Sequence, residues 1–261
     1  NYKYYSGISK IMMVASILLL IVTALGFGAT INDASRWIRI PLINQTFQPS
    51  DLAKLGLITF LAYLLSKKQE DITDLYKTFF PMILWIGVIC GLIAYSDMST
   101  AIMLAATSML LMVIGGVPIK YIAVSFVGIS LFLVLALAVG QRLGTVVNRI
   151  ESFTCATFGE CEPQYQVEQG YIAIANGGLL RISPGGSTQR NFLPNPFSDY
   201  IYAIIIEEYG MLGGILVLFL YLTLLYRGMV VVTRSSKAFG GLLSAGLSFL
   251  LVIQAMINMG V

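Results

Sequence analysis

Histidine is missing from all 261 residues, and that single absence removes several chemistries together. A Ser-His-Asp triad, a Cys-His nucleophile pair and a His-ligated zinc site are all excluded. Any proton transfer has to run through Asp, Glu, Lys, Tyr or Cys. Charge is scarce too, at 11% of residues against 57% hydrophobic, and mean hydropathy is +0.82. A soluble domain of this size needs more charge, so the fold class is an all-α, polytopic helical membrane protein. The net charge of +3 is spread through loops, without the basic cluster that nucleic acid would call for.

What the chain does have is apolar runs. About twenty apolar residues are needed to cross a hydrocarbon core, and seven stretches approach that length: 7–28, 51–66, 78–94, 99–115, 119–140, 198–226 and 238–261. The second to fourth are short enough for tilted, broken or partial insertion. The chain starts at Asn1 and stops at Val261 inside an apolar run with no flanking charge. It therefore reads as an internal part of a longer protein, one membrane domain over 1–261 with further spans expected outside it. Nothing in it reads as a cleavable signal peptide.

Basic residues in short loops mark the cytoplasmic side. Lys3 and Lys10, then Lys67, Lys68 and Lys77, then Lys120, then Arg227, Arg234 and Lys237 all fall at ends on one side. Arg36 and Arg39 are the exception, placed outside. The long connection 141–197 then faces the exterior, and loops of that length are usually functional or disordered. It carries Cys155 and Cys161 as CATFGEC. A short-loop disulfide suits an oxidising compartment, and two free thiols fit the spacing equally well. Cys90, inside the third apolar run, reads as packing.

Carboxylates at membrane depth are costly, about 2.5 to 3.5 kcal/mol each on insertion scales, and are kept mainly where they are paired or line a polar cavity. The stretch NPFSDYIYAIIIEEYG holds three of them. Ser198 and Asp199 stand where the sixth span starts, a position that suits an ordinary helix cap. Contact with helix N–H groups would favour the charged form of Asp199 and burial beside Phe197 and Tyr200 the protonated one, so a poised base is open as well as the cap. Glu207 and Glu208 lie roughly 12 to 13 Å further along the axis. Their expected partners are basic groups in other spans, either as a structural ion pair or as part of a substrate site. Adjacent helical residues differ by about 100° in direction, so at most one can point straight at a given partner.

A second cluster is FQPSDLAKLG. Pro49, Ser50 and Asp51 make a good helix start, and Lys54 follows Asp51 at a spacing that permits an ion pair. An ammonium leading straight into an apolar run could also hold a lipid phosphate or pair with a glutamate of the sixth span. The exterior loop adds Arg142, Asn148, Arg149, Arg181 and Arg190 with the runs ANGG and SPGGSTQR. Guanidinium groups near glycine-rich backbone suit pyrophosphate, though a solvated loop has the same look. YSDMSTA reads as a further helix cap. From the residues, an enzyme acting on a lipid-linked substrate, a transporter or flippase, and a scaffold all fit.

The blocks RWIRIP, FQPSDLAKL, SDMSTA, NRIESF, YQVEQGYIAIANGG, GGSTQRNFLPNPFSDYIYAIIIEEYGMLGG and QAMINMGV, in that order, resemble the SEDS family of bacterial cell-wall synthases over nearly the whole chain. NRIESF and QAMINMGV make it more similar to the division branch than to the elongation branch. The resemblance implies a SEDS-type bundle of about ten helices, roughly seven of them here. It also implies a peptidoglycan glycosyltransferase polymerising lipid II, the undecaprenyl-pyrophosphate-linked disaccharide pentapeptide, at the outer leaflet. The expected location is the inner membrane at the division septum, and the expected partners are a class B penicillin-binding protein and other divisome membrane proteins.

Residue by residue, Asp199 matches the family's essential acid, here within DYIY, as general base on the acceptor 4-hydroxyl. Glu207, Glu208 and Lys54 match a polar network through the membrane cavity. Arg190, where many members have Lys, would neutralise the donor pyrophosphate, and Arg149 and Gln166 match loop positions at the substrate site. ISPGGS departs from the family's glycine-richer run. Such leaving groups often call on a divalent cation, Mg2+ or Mn2+, but no ligand set is visible in the sequence. The alternative functions are lipid II flipping and elongation-type polymerisation.

Overall fold

The computed structural model describes residues 3–23, 25, 29–31, 34–40, 45–128, 165–193 and 196–260. Helices fall on each of the seven predicted stretches. They are α1 (Lys3–Val22), α2 (Pro49–Lys67), α3 (Phe80–Ala94), α4 (Met98–Ile114), α5 (Ile119–Gly128), α7 (Ile201–Arg234) and α8 (Ala238–Met259), with α6 (Tyr165–Gly177) added inside the long loop. By length and apolarity, three described segments suffice to cross a membrane: Leu75–Ala94, Ile201–Arg234 and Ala238–Met259. The fold is that of an all-α polytopic membrane protein.

The chain divides into two compact units, one of residues 1–125 and 224–253, the other of 126–223 and 254–261. In the first, α3 buries Met82, Ile86, Ile89 and Ile93, a spacing that puts all four on one helical face. They join Leu57, Ile58, Leu61 and Leu65 of α2, Leu104 and Leu111 of α4, and Leu242 and Leu250 of α8 in one cluster. Between apolar helices in lipid, close packing rather than water exclusion supplies the contact energy, so small residues sit where backbones approach. A Cβ on Gly56 would lie 3.0 Å from Ser16 Oγ, and one on Gly246 would lie 2.5 Å from an Ile58 methyl.

Hydroxyls in this core satisfy themselves on their own helix. Thr59 donates to Leu55 O at 2.8 Å, Thr107 to Met103 O at 2.8 Å and Ser108 to Leu104 O at 2.7 Å. That is how polar side chains are accommodated where no water is at hand. Asp97 caps α4 through the Thr100 N–H at 3.1 Å, as SDMSTA predicts. At α2, Pro49 occupies the first turn as expected, but Gln48 takes the cap position and Ser50 Oγ is buried with no partner among the described residues.

Two features differ from the sequence reading. Residues around RWIRI form a small antiparallel sheet, β1 (Ala29–Ile31), β2 (Ala34–Ile40) and β3 (Gln45–Phe47), with Ile38 opposite Phe47 and Arg39 opposite Thr46. The β-favouring run Trp37, Ile38, Ile40 was the available signal. Helix α7 also continues past Tyr226, so Arg227 lies within it and Arg234 in its last turn. Long basic side chains allow this because their charge can snorkel towards the interface.

Candidate functional site

The second unit is built around a break in α7. Gly210 has φ 75° and ψ 179°, a combination open essentially to glycine alone. Space forbids a side chain as well, since a Cβ there would lie 2.8 Å from Arg181 N and Leu180 Cα. The main chain freed by the break is bonded elsewhere. Met211 and Leu212 N–H donate to the Gly178 and Leu179 carbonyls at 3.0 and 3.3 Å, and Ser183 N–H donates to Glu208 O at 2.9 Å. The segment after α6 thus runs against the broken helix. Gly177 permits that approach, because a Cβ on it would meet Ile206 O at 2.1 Å.

Glu207 and Glu208 clamp this segment. Glu207 is fully buried. One of its oxygens accepts from the Thr188 N–H at 3.2 Å and the Thr188 hydroxyl at 2.9 Å, and the other accepts from Ser187 Oγ. Glu208 accepts from Gly185 N–H at 3.0 Å and Ser187 N–H at 3.4 Å. The expectation of basic partners is therefore corrected: among the described residues neither glutamate pairs with a cation. Backbone donors of a glycine turn do what a lysine would have done, at lower cost to a buried site. Their divergence along the helix is accommodated because the loop wraps round to offer each acid different donors.

The same bonds bear on the loop as a phosphate cradle. The N–H groups of Gly185, Ser187 and Thr188 are taken by carboxylates of the chain itself. Arg190 follows directly, its N–H donating to Ser187 Oγ at 3.2 Å, so its attachment to the loop is tied through Ser187 to Glu207. Its side chain is half-buried and has no carboxylate partner among the described residues.

Asp199 lies in the turn 196–199, just before α7 begins at Ile201. Its carboxylate is exposed and accepts from Ser198 Oγ at 3.2 Å. No ion pair neutralises it among the described residues. Beside it opens a cleft lined by Gly170, Tyr171 and Ile174 of α6, by Tyr200, Tyr202 and Ala203, and by Asn258 and Met259. The cleft, of about 30 Å³, has room for a water or a hydroxyl beside Asp199. Burial, and then the negative charge of Asp199, push the Tyr200 phenol above its usual range, so it stays neutral and is no base at neutral pH. Tyr171 is 62% exposed, an aromatic face at the mouth of the cleft.

Of the remaining predicted residues, Gln166 and Lys54 are described. Gln166 is exposed on α6. Lys54 is paired with Asp51 at 2.8 Å, its side chain 12% exposed, the ion pair that their spacing predicts. Arg149, Cys155 and Cys161 lie outside the described residues. Among those described, no three of Asp, Glu and Cys come together as metal ligands, and the cleft beside Asp199 holds one carboxylate. Among the described residues, that donor set would hold a divalent cation only together with oxygens of a bound phosphate. Sequence reasoning missed Gly185, Ser187 and Thr188 as the glutamates' donors and gave no role to Asn258, although it lies in the quoted block QAMINMGV.

Residues 1–261 match the family described as "Cell cycle protein", FTSW_RODA_SPOVE. The chain is 34% identical over 250 residues to "Probable peptidoglycan glycosyltransferase FtsW" of Geobacter sp. (strain M18), covering 94% of this chain and 66% of that protein. It is 31% identical over 260 residues to "Stage V sporulation protein E" of Bacillus subtilis (strain 168), covering 97% and 69%. It thus spans about two thirds of the length of these relatives.

Among solved structures, a chain from "Structural coordination of polymerization and crosslinking by a peptidoglycan synthase complex" superposes with a TM-score of 0.73 at 20% identity, covering 100% of this chain and 73% of that one. The crystal structure of Thermus thermophilus Rod shape determining protein RodA gives 0.65 at 21% identity, covering 100% and 68%. At such identities the likeness speaks to the fold.

Proposed function

The chain belongs to the family of cell cycle proteins that takes in FtsW, RodA and SpoVE, and from that premise we propose that it is a peptidoglycan glycosyltransferase polymerising lipid II into glycan strands for septal wall synthesis. The observation that carries this reading is Asp199. It is an exposed carboxylate without a cation partner among the described residues, beside a small cleft lined with tyrosines. Such a lining suits carbohydrate, whose rings pack on aromatic faces and whose hydroxyls need polar partners.

In the proposed reaction the acceptor 4-hydroxyl enters next to Asp199, which takes its proton as the oxygen attacks the donor anomeric carbon. The bond from that carbon to undecaprenyl pyrophosphate breaks, and the pyrophosphate leaves with the electron pair. A sugar hydroxyl is a poor nucleophile, and a positioned base is typically worth about 10² to 10⁴ in rate. Arg190 supplies a cation for the leaving group, on a loop kept in shape by Glu207 and Glu208. The chain works in the inner membrane at the division septum, with the 141–197 connection on the outer face and a class B penicillin-binding protein cross-linking the product.

The test compares wild-type full-length protein with Asp199→Asn, each purified with its transpeptidase, for glycan formation from lipid II. Loss of about 10² to 10⁴ in rate by a folded variant is the expected result. Equal polymer from both would remove Asp199 as the base. Transfer of lipid II across vesicles without polymer from either would replace polymerisation by flipping.

A further inference from the structure

We propose that Asn258, in the last turn of α8, is a positioning residue for Asp199; the inference rests on the glycosyl-transfer reading above. Its side-chain amide donates to the Ser198 carbonyl at 2.8 Å, across 60 residues of sequence. That carbonyl belongs to the same planar peptide as the Asp199 N–H. Holding it fixes the orientation of the plane from which the Asp199 side chain springs.

The need for such a hold is visible in the turn itself. Phe197, Ser198 and Asp199 are all exposed, and the carboxylate's own contact is a 3.2 Å bond from the neighbouring serine hydroxyl. A base must come within hydrogen-bond reach of the proton it removes, and an exposed side chain samples many positions unless the backbone that carries it is held. Asn258 anchors the turn from α8, and it lines the same cleft as Asp199 together with Tyr171, Tyr200 and Tyr202. It therefore links the end of α8 to the placement of the reacting carboxylate without exchanging a proton.

A group that only places the base should act on kcat and leave substrate binding alone. In the full-length protein with its transpeptidase and lipid II as substrate, Asn258→Ala is expected to lower kcat on the order of tenfold to a hundredfold, the cost of a base misplaced by about 1 Å, with KM unchanged. Asn258→Gln keeps an amide donor and is expected to recover most of the loss. Wild-type kcat in folded Asn258→Ala overturns the proposal, as does a rise in KM with kcat intact, which would make Asn258 a substrate contact. Should Asn258→Ala fail to fold, Asn258→Leu, nearly isosteric, uncharged and lacking the donor, takes its place: lowered kcat supports the proposal and wild-type kcat overturns it. Asp199→Asn run alongside separates the two ideas. Activity retained there sinks the base assignment and this inference together, whereas a dead Asp199→Asn beside a fully active Asn258→Ala sinks this inference alone.

Discussion

Arg190 and Glu207 are both charged and both partly or wholly withdrawn from solvent, yet they stand in opposite situations. Glu207 is fully buried with its oxygens filled by Ser187 and Thr188, whereas the Arg190 guanidinium has no acid partner among the described residues. A satisfied charge is structural and an unsatisfied one is available to a ligand. Arg190→Ala is accordingly expected to lower kcat/KM for lipid II by about tenfold to a hundredfold, the worth of a charge-assisted hydrogen bond of about 1.5 to 3 kcal/mol. Arg190→Lys should keep much of it, since a point charge can still meet a phosphate. Steady-state kinetics on the two variants decides this. Glu207→Ala should leave hydroxyl and N–H groups of the loop without acceptors, at about 1 to 3 kcal/mol of stability each, read as a lowered thermal midpoint in detergent. Asp199 and Arg190 were legible as candidates because ionised groups stand out in so apolar a chain. Ser187 and Asn258 were not, since a neutral polar residue carries its meaning only in the partner it meets, and those partners lie 20 and 60 residues away.

Among the helices, positions were readable and interruptions were not. In lipid every backbone group must be bonded within the protein, so each apolar stretch has to be helical and shows itself by length. The break at Gly210 obeys the same rule by another route, exporting its bonds to Gly178, Leu179 and Ser183. Glycine is common in membrane helices, and nothing in EEYGMLGG says which of its three will leave the helix. Gly213 and Gly214 stay helical. Gly210→Ala is expected to cost about 1 to 3 kcal/mol from backbone strain alone, and more from the clash with Leu180 and Arg181. Gly213→Ala should cost less, because it keeps helical dihedrals, and its cost comes from the 2.5 Å approach of the new Cβ to Tyr209 Cβ. Paired thermal unfolding of the two variants checks the ranking, and equal midpoints would count against the assigned break.

For the molecule as a whole, the lysine-rich ends and the acid-clamped loop are expected on opposite sides of the membrane. In a chain freed of Cys90, Cys155 and Cys161, Asn191→Cys should react with an impermeant maleimide in intact spheroplasts, and Glu70→Cys only after lysis; the reverse pattern would invert the topology. Both positions are exposed. The small sheet around Trp37 was not legible, because three short strands leave little periodicity to read. The break in α7 also gives the protein its own clock. The amides of Met211 and Leu212 are held by carbonyls of the 178–179 segment instead of by their own helix. Their exchange with deuterium therefore times the parting of that segment from the helix, whereas amides a turn further on time the fraying of the helix itself. Slowing of those two amides by bound substrate would show that the loop bearing Arg190 closes as the reaction is set up.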